Sequence, residues 1–336
     1  MAATIKDLAN ETGLGVATIS SYLNGGRVRE KNRIKIEAAI KKYDFHINEI
    51  ARGLKTNRTK TVGIVIPDLT SSFFAEIITK LEDLLQEHGY GVLVCDSRSD
   101  LKKLHSAVEF LFSKRVDAII NAPLTHDSAY LDSFLKAGKP VILIDRKLMA
   151  PKCDNILIDN IDATRMAVEY LIQNGHKKIG YVAGPDHVFT AVERLHGYHL
   201  AMLEAGLPTE ERFVVHSREY SIFGGRTAMQ TLLERNPDMT AVVVTSDDLT
   251  VGSMIAINES GISLPNDLSL IGFDNVDFAR ASHPGLTIVR QPIQEIAAKT
   301  VDVLLARLNG SSDVPPQEVR LKAHMIMGKS VKCLRP

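Results

Sequence analysis

Thr4-Ile-Lys-Asp-Leu-Ala-Asn-Glu-Thr-Gly13-Leu-Gly-Val-Ala-Thr18-Ile-Ser-Ser-Tyr-Leu-Asn24 reads as two short helices joined by a tight turn. Ile5, Leu8 and Ala9 fall at helical i, i+3, i+4 spacing, Gly13 can supply a left-handed turn, and Ile19 and Leu23 give the second segment its own apolar stripe. This is a helix-turn-helix pattern. Its second helix, opening near Val16, has the geometry to lie in a DNA major groove with its N-terminal residues on base edges. Working outward, Asn32–Tyr43 predicts a third helix with Ile36, Ala39, Ile40 and Tyr43 on one face, closing a three-helix head. The segment from Asn48 to Thr59 opens on an N-cap residue and ends polar and basic; it is too short to be a stable helix alone and reads as a linker.

Charge is unevenly placed along the chain. Residues 1–60 hold twelve Lys and Arg against six Asp and Glu, a net of +6, and the rest holds 28 against 34, a net of −6. The formal charge of zero therefore hides a basic head on an acidic body, and a cationic face is what phosphate binding requires.

From Thr61 the pattern becomes α/β. Val62–Ile66, Gly91–Cys95, Ala118–Ile120 and Val141–Ile144 are strand-like runs separated by helical patterns at about 73–87, 101–113 and 128–137. After Asn155–Ile158 a second series follows, with helices at 161–173, 191–205, 224–235 and 248–259 between strands Ile179–Val182, Phe213–Val215, Ala241–Val244 and Ser269–Phe273. Strands alternating with helices predict doubly wound parallel sheets, and the repetition predicts two similar lobes with a ligand cleft beyond the carboxyl ends of their strands. The domain expectation is a head at 1–47, a linker at 48–60 and a two-lobed body at 61–336, with lobe 1 at about 61–160 and 292–322 and lobe 2 at about 161–291 and 323–336.

Other classes fit less well. The N-terminal residues carry no apolar leader and no run of about 18 apolar residues occurs, so a secreted or membrane-spanning chain is not expected and the cytoplasm is. Cys95, Cys153 and Cys333 are odd in number and widely spaced, which suits free thiols. HExxH, GxSxG and a strand-following GxGxxG are missing, and Gly328-Lys-Ser330 resembles a phosphate-loop ending without its earlier glycine or following helix, so an enzyme is not expected. His196 and His199 lie three apart on a helix but lack a third ligand; neither a metal nor a cofactor is expected.

Taken in order, these segments resemble the lactose-repressor/galactose-repressor (LacI/GalR) family of bacterial transcription regulators. The resemblance is carried by Thr4–Ala9, Val16–Gly25, Ile50–Thr56, Val65–Ala75, Asp159-Asn160, Gly175–Ile179, Arg194–Tyr198, Ser246-Asp247, Ile271–Asn275 and Val289–Pro292. It implies a periplasmic-binding-protein-like body and a head that reads double-stranded operator DNA, with Thr4, Val16, Ala17, Thr18, Ser20, Ser21, Asn24 and Arg29 on the DNA. It also implies a hinge helix bearing Arg52, Leu54 and Lys55, in which Leu54 wedges into the minor groove at the centre of a palindrome. Val16 and Ala17 offer no side-chain donors and suit thymine methyls, while Ser21 stands where the family often places a guanine-reading Arg. A homodimer is implied, and a phosphoprotein coeffector on the first lobe is an open partner. No heptad pattern follows Ser330, which argues against a tetramer built through such a tail.

For the cleft, the resemblance implies Phe73, Phe74, Arg146, Asp159, Asn160, Thr190, Arg194, Tyr220, Asp247 and Asp274 around a small-molecule effector. Carboxylates and a guanidinium beside aromatic rings suit vicinal hydroxyls, which favours a sugar or polyol, with a nucleobase as the alternative. Arg194 and Asp274 carry an alternative of their own as a structural ion pair, and Asp145 reads as a strand-end residue. A transport-type sugar receptor would share the lobes but would have no use for the basic head.

Overall fold

The computed structural model describes residues 3–23, 25–46, 58–148, 150, 153–310 and 314–335. It divides into two compact units, Met1–Thr59 and Lys60–Pro336.

In the first unit, α1 (Ile5–Thr12), α2 (Val16–Leu23) and α3 (Glu30–Tyr43) surround a small core. Leu8, Ile19, Ile36 and Ala39 are buried at its centre, with Ile5, Leu14, Leu23, Ile40 and Phe45 packed around them. Asp7 closes the start of α1 by accepting both the Thr4 backbone N–H and its hydroxyl at 2.7 Å, which holds the Asp7 carboxyl below its ordinary pKa. Gly13 ends that helix at φ +66°, its N–H donating to the Ala9 carbonyl. Two details depart from the periodicity. Helix α3 begins at Glu30, where Glu30 and Arg33 pair one turn apart, and Tyr43 is exposed, its hydroxyl donating to Glu11 at 2.8 Å instead of entering the core.

The second unit contains two six-stranded sheets. The first is built from β1 (Thr61–Ile66), β2 (Gly91–Asp96), β3 (Ala118–Asn121), β4 (Val141–Ile144), β5 (Asp154–Ile158) and β11 (Glu318–Leu321), in the order β11-β5-β4-β3-β1-β2, all parallel. The second takes β6 (Ile179–Ala183), β7 (Val214–His216), β8 (Ala241–Val244), β9 (Ser269–Phe273), β10 (Thr287–Arg290) and β12 (His324–Ile326), in the order β12-β10-β9-β8-β6-β7. Its strands are parallel except for the β10–β12 pair. Strands β3, β4, β6, β8 and β9 are buried at every residue, which is why they read as unbroken apolar runs and not as alternating ones. The Phe213–Val215 run is offset: residues 211–213 form a 3-10 turn and the strand begins at Val214.

Helices α4 (Ser72–Glu87), α5 (Leu101–Ser113), α6 (Asp132–Lys136) and α12 (Ile293–Leu308) pack on the first sheet. Helices α7 (Asn160–Gln173), α8 (Phe189–Glu204), α9 (Ile222–Arg235), α10 (Asp247–Glu259) and α11 (Val276–Ala281) serve the second. The chain crosses between the lobes three times, after β5, after β10 and after β11. Gly328-Lys-Ser330 is part of the framework: the Ser330 hydroxyl donates to the Leu270 carbonyl at 2.6 Å and accepts the Thr287 N–H at 2.8 Å.

Candidate functional site

In the head, Val16 is 43% exposed at the start of α2, and Ala17 and Ser21 are exposed beside it. Thr18 and Ser20 are half-buried, and Thr4 and Arg29 are exposed just before α1 and α3. The second helix therefore presents an apolar, hydroxyl-bearing tip, with Ile19 holding the opposite side in the core. Several acids of the head are spent internally, Glu11 on Lys42 at 2.7 Å and Glu30 and Glu37 on Arg33, so they do little to oppose a phosphate backbone. Asn24, Arg52, Leu54, Lys55 and residues 48–57 of the expected hinge include positions outside the described residues: Asn24 and 47–57 are not described.

The body carries a cleft between its lobes. It is lined by Phe73, Phe74, Arg146, Thr190, Arg194, Tyr220, Asp247 and Asp274, together with Pro67, Asp68, Ser71, Ser99, Asp145, Ser246, Asp248 and Gln291, and encloses about 560 Å³ with its open mouth included.

Each wall has a local cause. On the first lobe, α4 starts immediately after the β1 loop and delivers Phe73 and Phe74 as an edge-to-face pair with ring centroids 5.1 Å apart. Both belong to the buried core, 6% and 5% exposed, and reach the cleft from it. Asp145 follows β4 in the left-handed region at φ +64° and orients the guanidinium of Arg146 at 3.0 Å. The corresponding residue after β9 in the second sheet is Asp274, at φ +63°. The repeat thus places an Asp at the carboxyl end of the same strand in both lobes, and both face the cleft.

On the second lobe, Arg194 is 3% exposed and makes three contacts. Its Nε donates to Asn160 Oδ1 at 2.8 Å, its Nη1 donates to the Thr245 carbonyl at 2.6 Å, and its guanidinium lies 4.6 Å from the Phe273 ring centroid. Gly197, one turn further along α8, lies so close to the Ile161 carbonyl that any Cβ would clash; this approach of α8 to α7 brings Arg194 within reach of Asn160. Asp274 is held by Gln291, whose N–H and side-chain amide donate to it at 3.2 and 2.7 Å, so Arg194 and Asp274 are held by separate partners and not by one another. Burial, with Asp247 nearby, raises the Asp274 carboxyl to about 6 against the pull of Arg194. Burial next to Asp247 and Asp68 raises Asp248 to about 7.

Two of the expected lining residues lie elsewhere. Asp159 caps α7 by accepting the Asp162 N–H at 3.1 Å and sits at the first crossover beside Lys322. Asn160 is fully buried and acts behind the wall, holding Arg194. In their place the cleft uses residues not singled out from the sequence, chiefly Gln291 and Asp248, and beside it the Ser72 hydroxyl donates to Asp247 at 2.7 Å across the lobes. Gln291 lies within the Val289–Pro292 segment and Asp248 beside Ser246-Asp247, so the sequence signal for both was present.

The fold and cleft define a class: a two-lobed, periplasmic-binding-protein-like body that takes a small molecule, on a chain that starts with a helix-turn-helix. Comparison with known proteins agrees. Residues 4–48 match the family described as bacterial regulatory proteins, lacI family, and residues 168–331 match a periplasmic binding protein-like domain. The chain is 30% identical over 334 residues to the HTH-type transcriptional repressor PurR of Actinobacillus pleuropneumoniae serotype 3 (strain JL03), covering 99% of each. It resembles the transcriptional regulator CelR–cellobiose complex at 28% identity with a TM-score of 0.74, covering 98% of this chain and 99% of that one. The lac repressor dimer bound to operator and the anti-inducer ONPF shares its fold, with a TM-score of 0.87 at 24% identity over 99% and 100% of the two chains. The protein belongs to the lacI family of bacterial regulatory proteins. It is a transcriptional regulator with a DNA-binding head and an effector-binding body.

Proposed function

We propose that this regulator is a homodimeric repressor that acts in the cytoplasm on a palindromic operator, and that a sugar or related polyol in the cleft sets its affinity for DNA. The observation that carries the reading is the pairing of two aromatic rings on one lobe with carboxylates, a guanidinium and an amide on the other. Charged groups can engage two neighbouring hydroxyls each, while a ring covers the apolar face of a sugar. The cellobiose named for the CelR complex belongs to the same ligand class.

Contacts already join the lobes around the cleft. Ser72 reaches Asp247 at 2.7 Å, Arg290 pairs with Glu76, Arg320 pairs with Glu193 at 2.9 Å, and the Arg146 guanidinium lies 6.0 Å from the Tyr220 ring centroid. A ligand touching both walls binds the closed arrangement better than the open one, and that difference is its only means of shifting the equilibrium. Glu193 also accepts from Asn160 at 3.3 Å, so a chain of polar contacts runs from Arg320 on β11 through Glu193 and Asn160 to Arg194. Lobe angle then sets how the two linkers meet on DNA. Val16, Ala17 and Ser21 read base edges, Thr4, Thr18, Ser20, Asn24, Arg29, Arg52 and Lys55 complete the contact, and Leu54 opens the central step.

Calorimetric titration of the full chain with cellobiose, glucose, galactose and ribose, and with adenine and hypoxanthine, tests this. Operator affinity is then measured with and without the tightest binder, on an operator selected from random DNA. A sugar that changes operator affinity about fivefold or more supports the reading. A response to nucleobases alone replaces the ligand class, and a bound ligand without effect on DNA contradicts the regulatory mechanism. Leu54→Ala should lose about tenfold or more in operator affinity with effector affinity unchanged, given the few kcal/mol at stake in unstacking a step; equal operator affinity contradicts the wedge.

A further inference from the structure

Several glycines of the body have no room for a side chain, and what crowds them differs. Gly197, Gly225 and Gly252 are pressed against the carbonyls of Ile161, Leu249 and Ile222, and Gly63 and Gly180 against apolar core side chains. Gly184, directly after β6, is pressed against the cleft: a Cβ there would overlap Oη, Cζ and Cε1 of Tyr220, a ring that lines the site. Gly184 does not have a positive φ, so the glycine supplies space and not a left-handed backbone.

The loop that carries Tyr220 lies across the end of β6. The Ser217 N–H donates to the Ala183 carbonyl at 2.9 Å, and His216 Nδ1 is 3.3 Å from the Gly184 carbonyl oxygen. On the other side Ser221 caps α9 by accepting the Gly224 N–H at 2.9 Å. With the backbone pinned before and after Tyr220, its ring is the part that can give way. Thr190 stands beside it, the two hydroxyls 3.4 Å apart, and Arg146 of the first lobe faces it with its guanidinium 6.0 Å from the ring centroid.

We propose that Gly184 is a positioning residue for the effector site: its bare backbone seats the Tyr220 ring against the end of β6 and so sets the space left in the cleft. The proposal rests on the effector reading above. A methyl group at residue 184 drives the ring off that seat and into the cleft, toward Arg146. The atoms that yield are the far end of a side chain and not a carbonyl, so the fold loses little and the cost falls on binding. At Gly197 the order is reversed, because the Ile161 carbonyl belongs to a packed helix and has nowhere to go.

The test is the Gly184→Ala variant of the full chain. Its crystal structure should show the Tyr220 ring displaced toward Arg146 with β6 in place, and its melting temperature should stay within about 3 °C of the parent. Titration with cellobiose, glucose, galactose and ribose should show the tightest binder of the parent weakened about tenfold, the scale of one methylene misplaced in a pocket. A ring that keeps its seat, a sugar affinity within about twofold of the parent, or a larger loss of melting temperature overturns the inference and leaves the effector reading standing. Silence from every sugar in the parent overturns the sugar reading instead, and the position of the ring then decides the inference.

Discussion

The two lobes share a strand order and divide the labour of the cleft unequally. The first contributes an apolar wall, Phe73 and Phe74, and an arginine already neutralised by its neighbour Asp145. The second contributes a polar wall of Arg194, Asp247, Asp248, Asp274 and Gln291, in which Arg194, Asp274 and Gln291 are fixed by buried hydrogen bonds within the lobe. The proposed mechanism uses one architecture twice, as a docking surface and as a lid. In the proposed mechanism the ligand meets the preorganised wall first, and the aromatic wall completes the site as the lobes close.

The largest expected effect falls on the docking surface. Arg194→Ala leaves the Thr245 carbonyl and Asn160 without their buried donor and removes the cation from the Phe273 face. Effector affinity should drop a hundredfold or more, with a stability loss of about 3 kcal/mol, measured by calorimetry and denaturant unfolding. Affinity within tenfold of the parent would show that the second lobe does not dominate docking. Phe74→Leu tests the lid. Affinity should weaken about tenfold, mostly through faster dissociation, because a lid acts after encounter. Stopped-flow rates decide this, and a slowed association with unchanged dissociation would reverse the roles of the lobes.

The smallest effect is a pH dependence peculiar to the acidic side. Asp248 and Asp274 are raised to about 7 and about 6, above the value of about 3.9 for an unfolded Asp. The folded chain therefore binds more protons than the unfolded chain between those values. The contribution of this pair to stability is fully present below about pH 4 and is lost as pH rises through 6 and 7. Between pH 5 and 8 the melting temperature of the parent should fall more steeply than that of Asp248→Asn; parallel slopes would mean that Asp248 titrates normally.

Much of this architecture is legible in the sequence. The head is readable because Ile5 and Leu8, Ile19 and Leu23, and Ile36, Ala39 and Ile40 fall at helical spacing within their own segments around a short core, and the sheets because central strands buried on both faces leave unbroken runs of Val and Ile. Tyr43 was misread because spacing places a ring on a face without saying whether a polar partner, here Glu11, holds it outside the core. The cleft was legible only in part. Asp159 follows a strand carboxyl end, the position where ligands gather, yet the chain crosses between lobes there and the side chain is needed to cap α7; Asp162 three residues later was the available signal. Ser72 and Asp247 lie 175 residues apart, and only the meeting of two lobes makes them neighbours.

The central claim is that one closure equilibrium links cleft and operator. It is tested most directly by measuring effector affinity on the free protein and on the operator-bound protein, alongside operator affinity with and without effector. The two ratios should be equal and differ from one by about fivefold or more, since coupling between sites is reciprocal; an effector affinity unchanged by operator would contradict the account.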